Sequence, residues 1–202
     1  DHPHADAAVA AGEGRPARAQ ARGCCRKVTQ TAGSDLILQR MMSFHPKIID
    51  LTLDRMHRLL AALGHPERAV PPVIHIAGTN GKGSTQAMIR AGLEAMGSTV
   101  HAYTSPHLVK FNERIVLANK EICDDLLKQT LERCQKAANQ KPKITPTFFE
   151  ITTAAAFLAF SKIKADILLL ETGLGGRLDA TNVLPKVLCS IITPIDFDHQ
   201  EF

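Results

Sequence analysis

Apolar positions recur at helical spacing from residue 47. Ile49, Leu53, Met56, Leu60 and Leu63 fall at steps of three and four before Gly64 and Pro66 interrupt the pattern. An amphipathic helix over 47–64 is expected. Val73-Ile74-His75-Ile76-Ala77 then reads as a short buried strand, residues 78–83 as a glycine-rich turn, and Ser84 to Met96 as a helix closed by Gly97. Thr99–Tyr103 and Arg114–Leu117 predict two further strands. Asp124 or Asp125 can cap a helix running to Asn139, and Phe148–Ser161 predicts a more apolar one. The runs Asp166–Glu171 (DILLLE) and Val187–Thr193 (VLCSIIT) are nearly continuous in apolar residues, which predicts strands covered on both faces of a parallel sheet. Strands that alternate with helices predict an α/β fold with a mostly parallel, doubly wound sheet.

The pattern begins abruptly. Residues 1–35 hold only Val9 and Val28 among all Val, Ile, Leu, Met and Phe, so they cannot bury a core. We expect a disordered tail over 1–40 and one folded domain over 41–202. Met41 and Met42 stand just before the periodic segment and mark an expected natural start of translation. A transit peptide is a poor match, because the tail carries acids and a single serine.

Composition narrows the class further. With 45% hydrophobic and 22% charged residues in 202, the chain is an ordinary globular sequence, which excludes collagen-like and wholly disordered classes. A net charge of +4 suits an anionic small molecule but is too weak to indicate nucleic acid. The five cysteines show no CxxC spacing, favouring free thiols in a reducing compartment. No apolar run approaches the roughly 18 residues needed to span a bilayer. A cytoplasmic protein without membrane or nucleic-acid partners is expected.

The turn at 78–84 carries the clearest chemistry. Gly78-Thr79-Asn80-Gly81-Lys82-Gly83-Ser84 lies between a strand and a helix. Glycines let backbone N–H groups curl around a phosphate, Lys82 supplies a cation, the helix N-terminus adds its dipole, and a hydroxyl suits Mg²⁺. The standard phosphate loop would place glycine at Ile76 and serine or threonine at Gly83, so this loop is a variant of it. ATP and Mg²⁺ are the expected cofactors. A second glycine cluster, Gly173, Gly175 and Gly176, follows the DILLLE strand. It lies where open α/β sheets bind ligands, so that Arg177 and Asp179 can face the site.

These segments resemble the folylpolyglutamate synthases and dihydrofolate synthases of the Mur ligase-like superfamily. The likeness rests on the GTNGKGS loop, on Thr104-Ser105-Pro106-His107-Leu108 with Asn112-Glu113-Arg114-Ile115, and on Thr147-Phe148-Phe149-Glu150. Glu171 to Asn182 (ETGLGGRLDATN) and Ile195 to His199 (IDFDH) complete it. The resemblance implies a P-loop-containing ATPase domain of a ligase that adds L-glutamate to a folate-type carboxylate through an acyl phosphate, acting as a monomer. It implies Ser84, Glu150 and His199 as magnesium ligands, Lys82, Glu150 and His199 in catalysis, and Ser105, Pro106, His107, Arg177 and Asp179 at the substrate. The family continues past this point with a carboxy-terminal domain that contributes to glutamate binding. The domain is therefore expected to be truncated and weak or inactive alone, with an open sheet edge. A peptidoglycan Mur-type ligase, a P-loop kinase or GTPase, and a non-catalytic nucleotide-binding fragment are the alternatives.

Overall fold

The computed structural model describes residues 37–39 and 52–196. Its centre is a six-stranded sheet in the order β4-β3-β2-β5-β1-β6. These strands are β1 (Val73–Ala77), β2 (Val100–Tyr103), β3 (Ile115–Leu117), β4 (Lys120–Glu121), β5 (Ile167–Glu171) and β6 (Cys189–Ile192). β2, β5, β1 and β6 run parallel, and β3 and β4 add an antiparallel hairpin at one edge. The helices are α1 (Asp54–Ala62), α2 (Lys82–Ala95), α3 (Asp124–Ala138) and α4 (Phe148–Phe160).

Strand alternation explains the two-layer arrangement. Leu168 and Leu170 join Tyr103, Ile115 and the helices α1, α3 and α4 in the larger core, while Leu169 joins Val100, Ala102 and Val116 under α2. α4 is the centre of the larger layer: every residue from Glu150 to Phe160 is buried, in keeping with a mostly apolar sequence in which Glu150, Thr152 and Thr153 are hydrogen-bonded. α2 connects β1 to β2 on one face, and α3 and α4 lead to β5 on the other, which makes the sheet doubly wound as expected. The phosphate-loop helix is seated by Gln86, whose Nε2 donates to the Tyr103 carbonyl at 2.8 Å and the Leu169 carbonyl at 3.1 Å.

Several expectations need adjustment. The first helix begins at Asp54, since Leu53 is its cap and Thr52 precedes it in non-helical backbone; Ile49 lies outside the described residues. Most of the predicted tail also lies outside them, but residues 37–39 are helical and Leu38 is buried against the core, so core-forming residues begin inside the 1–40 segment. Neither Asp124 nor Asp125 caps α3. Cys123 occupies the cap, while Asp124 accepts from Asn112 Nδ2 at 2.8 Å. The β4 hairpin escapes sequence reading because its turn is Ala118-Asn119, both in left-handed backbone, rather than a glycine-bearing pair. Among the described residues the VLCSIIT strand is not covered on both faces. β6 is an edge strand, with Leu188, Ile192 and Ile195 between 66% and 76% exposed.

Because β1, β2, β5 and β6 are parallel, the loops that follow them emerge along one edge of the sheet. That edge holds the motifs described next, where ligands bind in open α/β sheets.

Candidate functional site

The phosphate loop leaves β1 at Gly78, whose φ of 131° only glycine adopts readily. A Cβ there would also lie 2.8 Å from the Thr193 carbonyl oxygen, so the loop packs directly on the segment after β6. Thr79 and Asn80 donate their amides to the Pro194 carbonyl at 3.0 and 3.2 Å, and Thr79 Oγ1 donates to the Asp196 carbonyl at 3.0 Å. The loop is therefore held from below. Gly81 turns at φ 82° into α2, and Asn80, Gly83 and Ser84 stay exposed at the start of that helix. Lys82 folds back over the turn and donates to the Gly78 carbonyl at 2.7 Å and the Thr79 carbonyl at 3.2 Å. The result is an ammonium group and a helix N-terminus at the sheet's carboxyl edge.

Glu171 closes this group from the next strand, and sequence reading did not select it. It ends β5, is buried, and its Oε2 lies 4.0 Å from where a side chain on Gly83 would begin. Thr104 Oγ1 donates to it, and the Ser105 amide donates at 3.4 Å. Burial pushes its pKa up, opposed by those hydrogen bonds and by the Lys82 charge. A signal for it existed: an acid ending a buried parallel strand and opening a glycine-rich loop.

Glu150, expected at the metal, has other partners. Arg55 Nε donates to both its oxygens at 3.1 and 3.2 Å, and the Thr147 amide donates to Oε2 at 2.7 Å while Glu150 N donates back to Thr147 Oγ1. This is a capping box at the start of α4, joined by an ion pair to α1. Among the described residues none of its hydrogen bonds reaches the phosphate loop. His199 lies outside the described residues. Asp196, three positions earlier, does stand beside Thr79.

Asp179, expected at the substrate, is hydrogen-bonded within its own loop. It is buried, Oδ2 accepts from the Gly173 and Leu174 amides at 2.9 and 2.8 Å, and Oδ1 accepts from the Thr181 amide at 2.9 Å and its hydroxyl at 2.5 Å. The hydroxyl proton is spent on Asp179, so His75 Nε2 donates to Thr181 Oγ1 at 2.8 Å and carries the ring proton. Asp179 thereby organises the 173–181 loop and ties it to β1 through Thr181 and His75. Gly173 must lack a side chain because a Cβ would collide with the Phe149 ring. Arg177 is exposed and makes no ion pair among the described residues.

The remaining predicted residues form a separate loop after β2. Pro106 is exposed, and His107 Nδ1 accepts from Arg114 Nε at 2.9 Å. Glu113 pins this loop, accepting the amides of Lys110, Leu108 and Val109 at 2.8, 2.8 and 3.0 Å; those bonds, led by Lys110, hold its pKa below the usual carboxylate value. A cavity of about 370 Å³ runs from Gly83 and Thr104 between α2 and β3 toward Arg90.

No family model matches the chain. It is 46% identical over 152 residues to the dihydrofolate synthase/folylpolyglutamate synthase of Bacillus subtilis, a match over 73% of this chain and 35% of that protein. It is 39% identical over 162 residues to the dihydrofolate synthetase of Saccharomyces cerevisiae, over 76% of this chain and 36% of the relative. Escherichia coli FolC, solved in complex with DHPP and ADP, superposes with a TM-score of 0.77 at 35% identity, covering 84% of this chain and 40% of that one. The bifunctional folylpolyglutamate synthase/dihydrofolate synthase of Yersinia pestis, complexed with AMPPNP and Mn ion, gives a TM-score of 0.76 at 32% identity, over 85% and 41%. The chain thus spans little more than a third of the length of the curated relatives it matches. Over that span, the sheet order, the loop at 78–84 and these identities place it in the folylpolyglutamate synthase/dihydrofolate synthase family, with a Mur ligase-like fold.

Proposed function

We propose that this chain supplies the ATP-binding part of a ligase that joins L-glutamate to a folate-type carboxylate, with dihydropteroate, a folylpolyglutamate or both as acceptor. The observation that carries this reading is the meeting of Lys82, the exposed start of α2 at Gly83 and Ser84 and the buried Glu171 at one edge of the parallel sheet. A carboxylate oxygen is a poor leaving group, so amide formation needs the acceptor phosphorylated first. The loop amides and Lys82 bind and neutralise the phosphates, and positioning with electrostatics does the rest.

The donors present fit a hard divalent cation: a carboxylate at Glu171 and a hydroxyl at Ser84, both beside Lys82. Glu171 replaces Glu150 in this assignment, because Glu150 is committed to Arg55 and its own helix end. Mg²⁺ held there would neutralise charge on the transferring phosphoryl group. His199 remains a candidate third ligand on the strength of the motif alone.

No described helix is long and apolar enough to cross a membrane; that the protein is a cytoplasmic monomer is part of this proposal. Calorimetric titration of the chain with ATP and Mg²⁺ tests the reading. Binding that Lys82→Ala abolishes supports it, and the absence of binding by a folded chain contradicts it. Nucleotide binding that never leads to ligation, even in the presence of the rest of a relative, would favour a non-catalytic nucleotide-binding role.

A further inference from the structure

Arg114 carries a positive charge into a half-buried position with no acidic partner among the described residues. Its Nε donates to His107 Nδ1 at 2.9 Å, and its guanidinium carbon lies 5.1 Å from the centroid of the Phe111 ring. Those two contacts fix the plane of the group, and its two Nη atoms have no protein acceptor among the described residues. Burial pushes its pKa down, and the influence that opposes this is the Tyr103 phenol, not a carboxylate. Its neighbour Glu113 is occupied by three backbone amides.

The placement matters as much as the missing partner. The Arg114 carbonyl accepts the Thr104 amide at 3.0 Å, and the Thr104 hydroxyl donates to Glu171. The backbone of Arg114 therefore pairs at the sheet edge that also carries Glu171, while its side chain turns to His107, Phe111 and Tyr103. A rigid, partly desolvated fork with paired N–H groups matches a planar carboxylate in shape and charge, and it is costly to keep without one.

We infer that Arg114 receives the carboxylate of the organic-acid substrate at the loop after β2; the choice of acids rests on the ligase reading above. Two carboxylates fit this chemistry, that of a pteroate-type acceptor and that of L-glutamate. The chain is titrated separately with pteroate, with pteroate methyl ester and with L-glutamate, in the wild type, Arg114→Met and Arg114→Lys. Methionine keeps the packing on Phe111 without the charge, and lysine keeps the charge without the fork. ATP–Mg²⁺ titrations run in parallel.

The expected result is that one carboxylate binds the wild type, and that Arg114→Met weakens it by about 10- to 100-fold, the range for a charged hydrogen-bonded pair. Arg114→Lys weakens it less, while binding of the ester and of ATP–Mg²⁺ does not change between the variants. Weakening for pteroate alone identifies the acceptor, and for L-glutamate alone the amino acid. Equal binding of both acids by wild type and Arg114→Met, or no binding of either by a wild type that binds ATP–Mg²⁺, overturns the inference and leaves the ligase reading standing. Carboxylate binding that depends on Arg114 in a chain that does not bind ATP–Mg²⁺ does the reverse. Should Arg114→Met fail to fold, Arg114→Lys decides, since wild-type affinity in that variant removes the role of the fork.

Discussion

The loops after β1 and β5 are built from similar residues and do opposite things. Both are glycine-rich, and both leave the carboxyl ends of neighbouring parallel strands. In the 78–84 loop the polar groups face outward: Asn80, Gly83 and Ser84 are exposed, and Lys82 donates to two carbonyls of its own turn. In the 172–182 loop the central charge faces inward, with Asp179 buried under four hydrogen bonds. Glycine content marks both as tight turns. What separates a binding loop from a scaffolding loop is whether its charge is already satisfied by the protein.

The sharpest way to break this contrast is to remove each charge in turn. Asp179→Ala leaves the Gly173 and Leu174 amides and the Thr181 hydroxyl without their acceptor, and should cost at least about 3 kcal/mol in urea unfolding. Lys82→Ala should shift the unfolding free energy by less than about 1 kcal/mol, yet weaken ATP–Mg²⁺ binding about 100-fold in calorimetry. If Asp179→Ala weakened nucleotide binding without loss of stability, the two loops would not differ as described.

Thr147→Ala sharpens the account of Glu150. Removing the capping hydroxyl should lower stability by about 1 kcal/mol, read as a decrease in melting temperature, with the magnesium dependence of ATP binding unchanged. The smallest expected effect is that of pH. Burial pushes the pKa of both His75 and His101 below the ordinary 6.5. His101 is fixed as the neutral Nε2–H form, because Nδ1 accepts the Ala118 amide at 3.0 Å and Nε2 donates to the Ile163 carbonyl at 2.9 Å. The unfolded chain therefore takes up these protons more readily than the folded one. Their contribution is present above pH 6.5 and is lost as the pH falls below it. Thermal melts from pH 8 to pH 5 should show the decline, and His101→Gln should flatten it.

Much of the fold could be read from periodicity, because β1, the 78–83 turn and α2 follow one another with a change of period at each boundary. Residues whose state depends on distant neighbours could not be read in the same way. β6 has the composition of a covered strand, yet β1 is its one partner among the described residues. The site divides along the same line. The phosphate loop is a local motif, whereas Glu150 and Glu171 are both acids at the end of an apolar element. They are told apart only by Arg55, 95 residues before Glu150, and by Thr104, 67 residues before Glu171.

That pair of carboxylates provides the most direct test of the central claim, that Glu171 and not Glu150 works with the phosphate loop. ATP binding by calorimetry, with and without Mg²⁺, is compared in Glu171→Gln and Glu150→Gln. The account predicts that Glu171→Gln loses the magnesium-dependent part of the affinity while keeping its stability. Glu150→Gln should keep that affinity and lose stability through the weakened Arg55 pair. Magnesium dependence retained in Glu171→Gln and lost in a folded Glu150→Gln would contradict it.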